Sequence, residues 1–119
     1  MILEIPSIKI NNQQLMDNFK LNFVKGNEAH QFRSKFDIMK GDDKEHIDLV
    51  CHSLQVNIMK LSIHMKGIEL HRNHQYEMDV IFKVNKKSIL LKGNIDTCNI
   101  DINVNKPEDF KQFLELFVN

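Results

Sequence analysis

Apolar and polar positions alternate with a period of two along most of the chain. Over residues 18–23, Phe19, Leu21 and Phe23 alternate with Asn18, Lys20 and Asn22, and over 32–38 Phe32, Phe36 and Ile38 share one parity against Arg33, Lys35 and Asp37. Successive side chains of a strand point to opposite faces, so each segment buries one face and wets the other. The pattern returns at Met78, Val80, Phe82 and Val84, and again at Cys98, Ile100, Ile102 and Val104. Ile8 and Ile10 flank Lys9 in a further strand near the N-terminus, and residues 24–31 predict a hairpin connection. Strands of this kind build antiparallel sheets that leave one face in water.

The four glycines share a context. Gly26, Gly41, Gly67 and Gly93 each follow a lysine that follows an apolar residue. Glycine reaches positive φ without a Cβ clash, and lysine blunts exposed strand ends, so each pair predicts a turn where an alternation stops. Gly41, Gly67 and Gly93 are spaced by twenty-six residues. The residues after them diverge, which argues against an internal repeat.

Residues 41–67 fit two descriptions. As a helix, Ile47, Val50, Cys51, Leu54, Ile58, Leu61 and Met65 form one stripe, opened by Asp42 or Asp43 and closed by Gly67. As strands, Leu54, Val56 and Ile58 alternate, followed by Leu61, Ile63 and Met65 in the opposite parity, with a slip at Met59 and Lys60 that a bulge would explain. The reading adopted is a short helix over roughly 42–52 and then a long bent strand. The C-terminus is helical: Pro107 suits a first turn, Glu108 and Asp109 suit its dipole, and Phe110, Phe113, Leu114 and Phe117 follow at helical spacing. Burying each phenylalanine of that stripe contributes about 2 kcal/mol.

The expected fold is therefore α+β: a mainly antiparallel β-sheet or partly open barrel, with one short internal helix and a C-terminal amphipathic helix packed on it. At 119 residues, the chain 1–119 is the size of one domain able to bury a core without disulfides or a structural metal. Sixteen Lys and Arg balance sixteen Asp and Glu, so no strong whole-molecule field draws it to DNA or an anionic membrane. Charge is uneven locally: residues 42–48 hold four carboxylates against one lysine, and 83–92 hold four lysines and no acid. No apolar run approaches the length of a membrane span and no signal peptide is recognisable, so a cytoplasmic protein without a membrane partner is expected. Cys51 and Cys98 fit that compartment as buried free thiols. The abundance of Asn, Lys and Ile points to an AT-rich coding genome, as in a low-GC bacterium or its phages.

Candidate chemistry is sparse. His71 and His74, with Glu77 nearby, are weak metal candidates, since three-residue spacing on a strand sends two imidazoles to opposite faces. A turn after Leu70, with solvated histidines, accounts for them. Cys51 and His52 are adjacent and diverge on any regular element, so they make no nucleophile–base pair. No phosphate loop, dinucleotide fingerprint, nucleophile elbow or zincin motif occurs. No catalytic residue and no cofactor are assigned.

These observations lead to a non-catalytic binding module that meets a macromolecular partner, most simply a protein, through exposed sheet faces and edges. Lys20, Asn22, Arg33 and Lys35 mark that surface. An exposed edge can also pair with a second copy, which makes a homo-oligomer a further expectation. The alternative is a sequence-nonspecific single-stranded nucleic-acid binder with a barrel like the oligonucleotide-binding type. There Lys83, Lys86, Lys87 and Lys92 would form a groove and Tyr76 would stack on bases. The third reading is an enzyme or metalloprotein whose site assembles from distant residues.

Overall fold

The computed structural model describes residues 1–40 and 42–118. The chain runs through β1 Ile2–Ile10, β2 Gln13–Val24, β3 His30–Lys40, β4 Asp43–Asn57, β5 Ser62–Glu69, β6 His74–Val84, β7 Ile89–Ile95 and β8 Cys98–Asn103, and ends in α1 Pro107–Glu115. Every strand pairs antiparallel with the next in sequence, giving one open eight-stranded sheet. The mainly antiparallel sheet and the C-terminal helix match the alternation and the aromatic stripe that predicted them.

Inward parity builds the core. Phe36 and Ile38 of β3, Ile47 and Leu49 of β4, Tyr76, Met78 and Val80 of β6, and Ile100 and Ile102 of β8 are buried on one face. Helix α1 covers that face with Leu114, and Phe117 just beyond the helix stacks edge-on against Phe113 at 5.4 Å. Its first turn carries Glu108 and Asp109, and Asp109 Oδ2 accepts a 2.8 Å hydrogen bond from the Asn103 backbone N–H, tying the helix start to the end of β8. The helix touches both β8 and β2. Asn11 Nδ2 donates to the Asn105 carbonyl at 3.0 Å, so the sheet curls far enough for the first hairpin to meet the segment after the last strand.

The helix ends on a latch formed by the β5–β6 connection. His71 Nε2 donates to the Phe117 carbonyl at 2.6 Å, and Arg72 Nη2 donates to the Leu116 carbonyl at 2.9 Å. The same guanidinium grips Glu69, which is 0 % exposed, with both carboxylate oxygens 2.6 Å from Nη2. These last carbonyls lack partners within a helix, and the latch supplies them.

Three expectations are corrected. Residues 42–52 are not helical: β4 runs unbroken from Asp43 to Asn57, with Ile47, Leu49 and Cys51 inward, and pairs along β3 from Lys40↔Asp43 to His30↔Leu54. The register shift between Cys51 and Ser53 changes the parity, and this makes Ile47, Cys51 and Leu54 mimic a helical stripe. The long bent strand is instead β4 and β5, joined by a turn over 58–61 in place of a bulge at Met59 and Lys60. Finally, only Gly26 behaves as turn punctuation; Gly41 lies outside the described residues, and Gly67 and Gly93 sit within β5 and β7. A Cβ on Gly67 would lie 1.9 Å from the Val50 carbonyl oxygen, and one on Gly93 would lie 1.9 Å from that of Asp79. Both glycines permit close approach of neighbouring strands in the curled sheet.

The Glu69–Arg72 pair generates a stability prediction. Arg72→Met leaves a buried carboxylate without its cation and costs about 3–5 kcal/mol in urea denaturation. Glu69→Gln combined with Arg72→Met recovers part of that loss.

Candidate functional site

The concave face of the sheet and the helix enclose an apolar hollow of about 290 Å³. Its wall includes Met16, Phe36, Met65 and Met78 from the strands and Phe113 and Phe117 from the C-terminal segment, and no polar atom contributes to its surface. Interiors normally pack to crystal density, with few voids larger than a water molecule. Two causes act here. Gly67 pairs with buried Cys51 and Tyr76, and Gly93 with buried Val80 and Ile100, so two inward-row positions contribute no side chain. Methionines supply part of the remaining wall, and their flexible thioethers adapt to irregular space.

The hollow has a direction. Tyr76, Ile100 and Phe117, at the end held by the latch, are buried, whereas Phe32, Ile63, Phe82 and Leu91 are half-buried. Those four lie where β3, β5 and β7 begin and β6 ends, so the hollow opens toward the end of the sheet that carries the β2–β3, β4–β5 and β6–β7 connections. Ser34 lies between Phe32 and Phe36 on the same inward row, 4 % exposed, and its Oγ has no hydrogen-bond partner among the described residues.

Comparison with protein families, curated proteins and solved structures returned no match to this chain.

The residues singled out from the sequence are placed as follows. Lys83, Lys86 and Lys87 are exposed on the β6–β7 hairpin, whose turn is organised by Asn85 Oδ1 accepting from the Lys87 and Ser88 backbone N–H groups. Lys92 is half-buried on β7, opposite Ile81 and Asp101. Tyr76 is not with them: it is 5 % exposed, and its hydroxyl donates to the Val50 carbonyl at 3.4 Å, so its ring offers no face to a base. Lys20 and Asn22 project outward from β2, and Arg33 and Lys35 from β3. Arg33 donates to both carboxylate oxygens of Asp48, at 3.2 and 2.9 Å, so this face carries an ordered cross-strand pair.

His71 and His74 do not converge. His71 is half-buried, with Nδ1 accepting from the Asp48 N–H at 3.1 Å while Nε2 serves the latch, so it is a structural residue and not a solvated one. His74 Nε2 instead faces Asp96 at 3.1 Å. The grouping that sequence spacing missed is His64 on β5 with Glu77 and Asp79 on β6, whose potential ligand atoms lie within 4.8 Å of one another. Glu77 and Asp79 share a face by strand parity, and only the His64↔Asp79 register brings the imidazole to them. A divalent cation would find three ligands there, but His64 already faces Asp79 and Glu77 on its two ring nitrogens and Lys66 Nζ stands 3.9 Å from Glu77. The cluster is thus internally compensated.

Cys51 and His52 diverge as strand neighbours must, Cys51 inward and His52 into solvent. Burial pushes the Cys51 thiol up, partly offset by the Ser53 and Lys66 backbone. Burial likewise raises Tyr76, helped by Cys51. Cys98 shares parity with Ile100 but opens β8 just past the tight turn at Asp96, beyond the reach of the core, and is exposed, contrary to the expectation of two buried thiols. Among the described residues no helix is long and apolar enough to cross a membrane.

Two predictions follow from these environments. A thiol reagent modifies Cys98 in the native protein and reaches Cys51 only after denaturation, so absorbance titration counts one reactive thiol and then two. The Arg33 hydrogen bonds hold the Asp48 carboxyl below its ordinary value of 3.8, and His46 does the same for Asp37. A depressed native pKa stabilises above the unfolded value and loses its effect as pH falls through the native one. The melting-temperature deficit of Asp48→Asn is therefore present at neutral pH and narrows as the pH drops below that ordinary value.

Proposed function

We propose that this protein is a non-catalytic binding module whose occupant is a small apolar molecule held in the concave hollow. The observation that carries this reading is the hollow itself: wholly apolar, about 290 Å³ in volume, and open at one end. Apolar cavities half that size in small proteins stay dry and admit hydrophobic guests, and ligand pockets begin at about 300 Å³. An occupant would restore the dispersion contacts that the wall lacks.

A small occupant accounts for more than the macromolecular partner expected at the outset. The outward faces where such a partner would sit carry cross-strand polar pairs such as Arg33–Asp48 and His46–Asp37. The nucleic-acid alternative loses its stacking group with Tyr76 buried. A catalytic reading finds Cys51 turned inward, with a thiol pushed away from the reactive thiolate.

The test is a titration with the neutral fluorescent probe N-phenyl-1-naphthylamine. Saturable binding at one site is expected, with displacement by a medium-chain alkanol. Met65→Phe, which fills the hollow from its wall, weakens probe binding by at least about tenfold while preserving the circular dichroism spectrum. Absence of saturable binding, or unchanged affinity in the filled variant, overturns the proposal.

A further inference from the structure

The β4–β5 turn departs from ordinary turn chemistry. Residues 58–61 read Ile-Met-Lys-Leu, with none of the Gly, Pro, Asn, Asp or Ser that favour chain reversal. The reversal is held from outside by Asn57, whose Oδ1 accepts from the Lys60 N–H at 3.0 Å. Leu61 adopts a left-handed backbone at φ 50, a region that a branched apolar side chain rarely enters. Ile58 is 81 % exposed and Met59 97 % exposed. Burial and turn propensity thus both oppose these residues, and a locally unfavourable choice at an exposed tip is a signature of function.

A second hairpin stands beside the first. The Phe82 N–H donates to the Leu61 carbonyl at 2.8 Å, so the β6–β7 hairpin flanks the β4–β5 tip, with Val84 exposed near its apex. Over residues 56–62 and 81–92 there are five lysines, Lys60, Lys83, Lys86, Lys87 and Lys92, and no acidic residue. Asp42, Asp43 and Asp96 lie at the opposite end of the sheet, while Glu28 lies in the β2–β3 connection and Glu108 and Asp109 at the helix start on the same end as the tips. The excess of positive charge is thus local to the two tips.

We infer that the β4–β5 and β6–β7 tips together form a docking surface for an anionic lipid bilayer. Met59 and Ile58 enter the interfacial region, and the lysines meet the headgroups. The assignment to lipid rests on charge complementarity and shape. Narrow tips that expose aliphatic residues and the flexible Met59 suit insertion among lipid chains, and lysine is a mobile point charge suited to a fluid anionic surface. A protein interface would favour a broader patch centred on aromatic or arginine anchors, and no arginine or fully exposed aromatic stands at these tips. Such docking needs no membrane-crossing segment and stands whether or not the hollow holds a guest.

The experiment is co-sedimentation of the full chain with phosphatidylcholine vesicles, with and without phosphatidylglycerol, at low and near-physiological salt. Binding is expected only to the anionic vesicles, weakening with salt. Met59→Asp and the pair Lys86→Glu, Lys87→Glu each reduce binding by at least about tenfold, with unchanged circular dichroism and unchanged binding of N-phenyl-1-naphthylamine. No co-sedimentation, or wild-type affinity in Met59→Asp, overturns the inference. A wild-type protein that ignores vesicles but forms a dimer dissolved by Met59→Asp also overturns it, assigning the tips to a second copy of the chain.

Discussion

A single helix of nine residues has to cover the apolar face of eight strands. At 1.5 Å per residue it is about 14 Å long, whereas a twelve-residue strand extends for about 40 Å. A flat sheet would leave most of its inward side chains in water, so the sheet must curl and bury its face against itself. The helix then fills the gap between β2 and β8. Because it is so short, its position depends on its ends: Asp109 anchors the start on Asn103, and His71 and Arg72 hold the carbonyls of Phe117 and Leu116. The buried Glu69 fixes the arginine that holds the helix. A charge that would be costly alone is thereby part of what keeps the concave face covered.

The hollow is what this coverage leaves over. Curling requires close strand approach at Gly67 and Gly93, and each glycine withholds a side chain from the inward row. The same two positions therefore help to shape the sheet and to under-fill its interior. Turn chemistry shows a similar economy with one departure. Six described residues other than glycine have positive φ; five are Asn or Asp, whose side chains tolerate that region, and the sixth is Leu61. Four of the five lie in connections and Asn18 sits at the register shift within β2, so Leu61 is the departure.

Much of the architecture was legible in the sequence. Strict alternation marked β2, β3, β6 and β8, and the spacing from Phe110 to Phe117 marked the helix, because both patterns are local. The errors arose where the determining contact is distant. A bulge after Cys51 shifted parity and imitated a helical stripe, and only pairing with β3 and β5 decides the matter. The β4–β5 turn carried no usual turn residue at 58–61, and only the flanking Asn57 and Ser62 hinted at it. His71 resembled a solvated loop residue because its partner Phe117 lies 46 positions away. The hollow was illegible for the same reason: its wall draws on β2 through β8 and the C-terminal segment, and a single sequence does not reveal how completely inward side chains will meet.

The two functional proposals are independent, but one physical argument joins them. A wholly apolar occupant has little free concentration in water, so its exchange is limited by how rarely it leaves another apolar phase. Transfer is easiest where the mouth of a carrier faces that phase directly. The half-buried Phe32, Ile63, Phe82 and Leu91 place the opening of the hollow at the same end of the sheet as the exposed Ile58 and Met59. At the opposite end the latch closes the interior over Phe117. Contact of the tips with a lipid surface would thus orient the open end toward the source of the guest and leave the closed end in water, with no conformational change needed to bring mouth and membrane together.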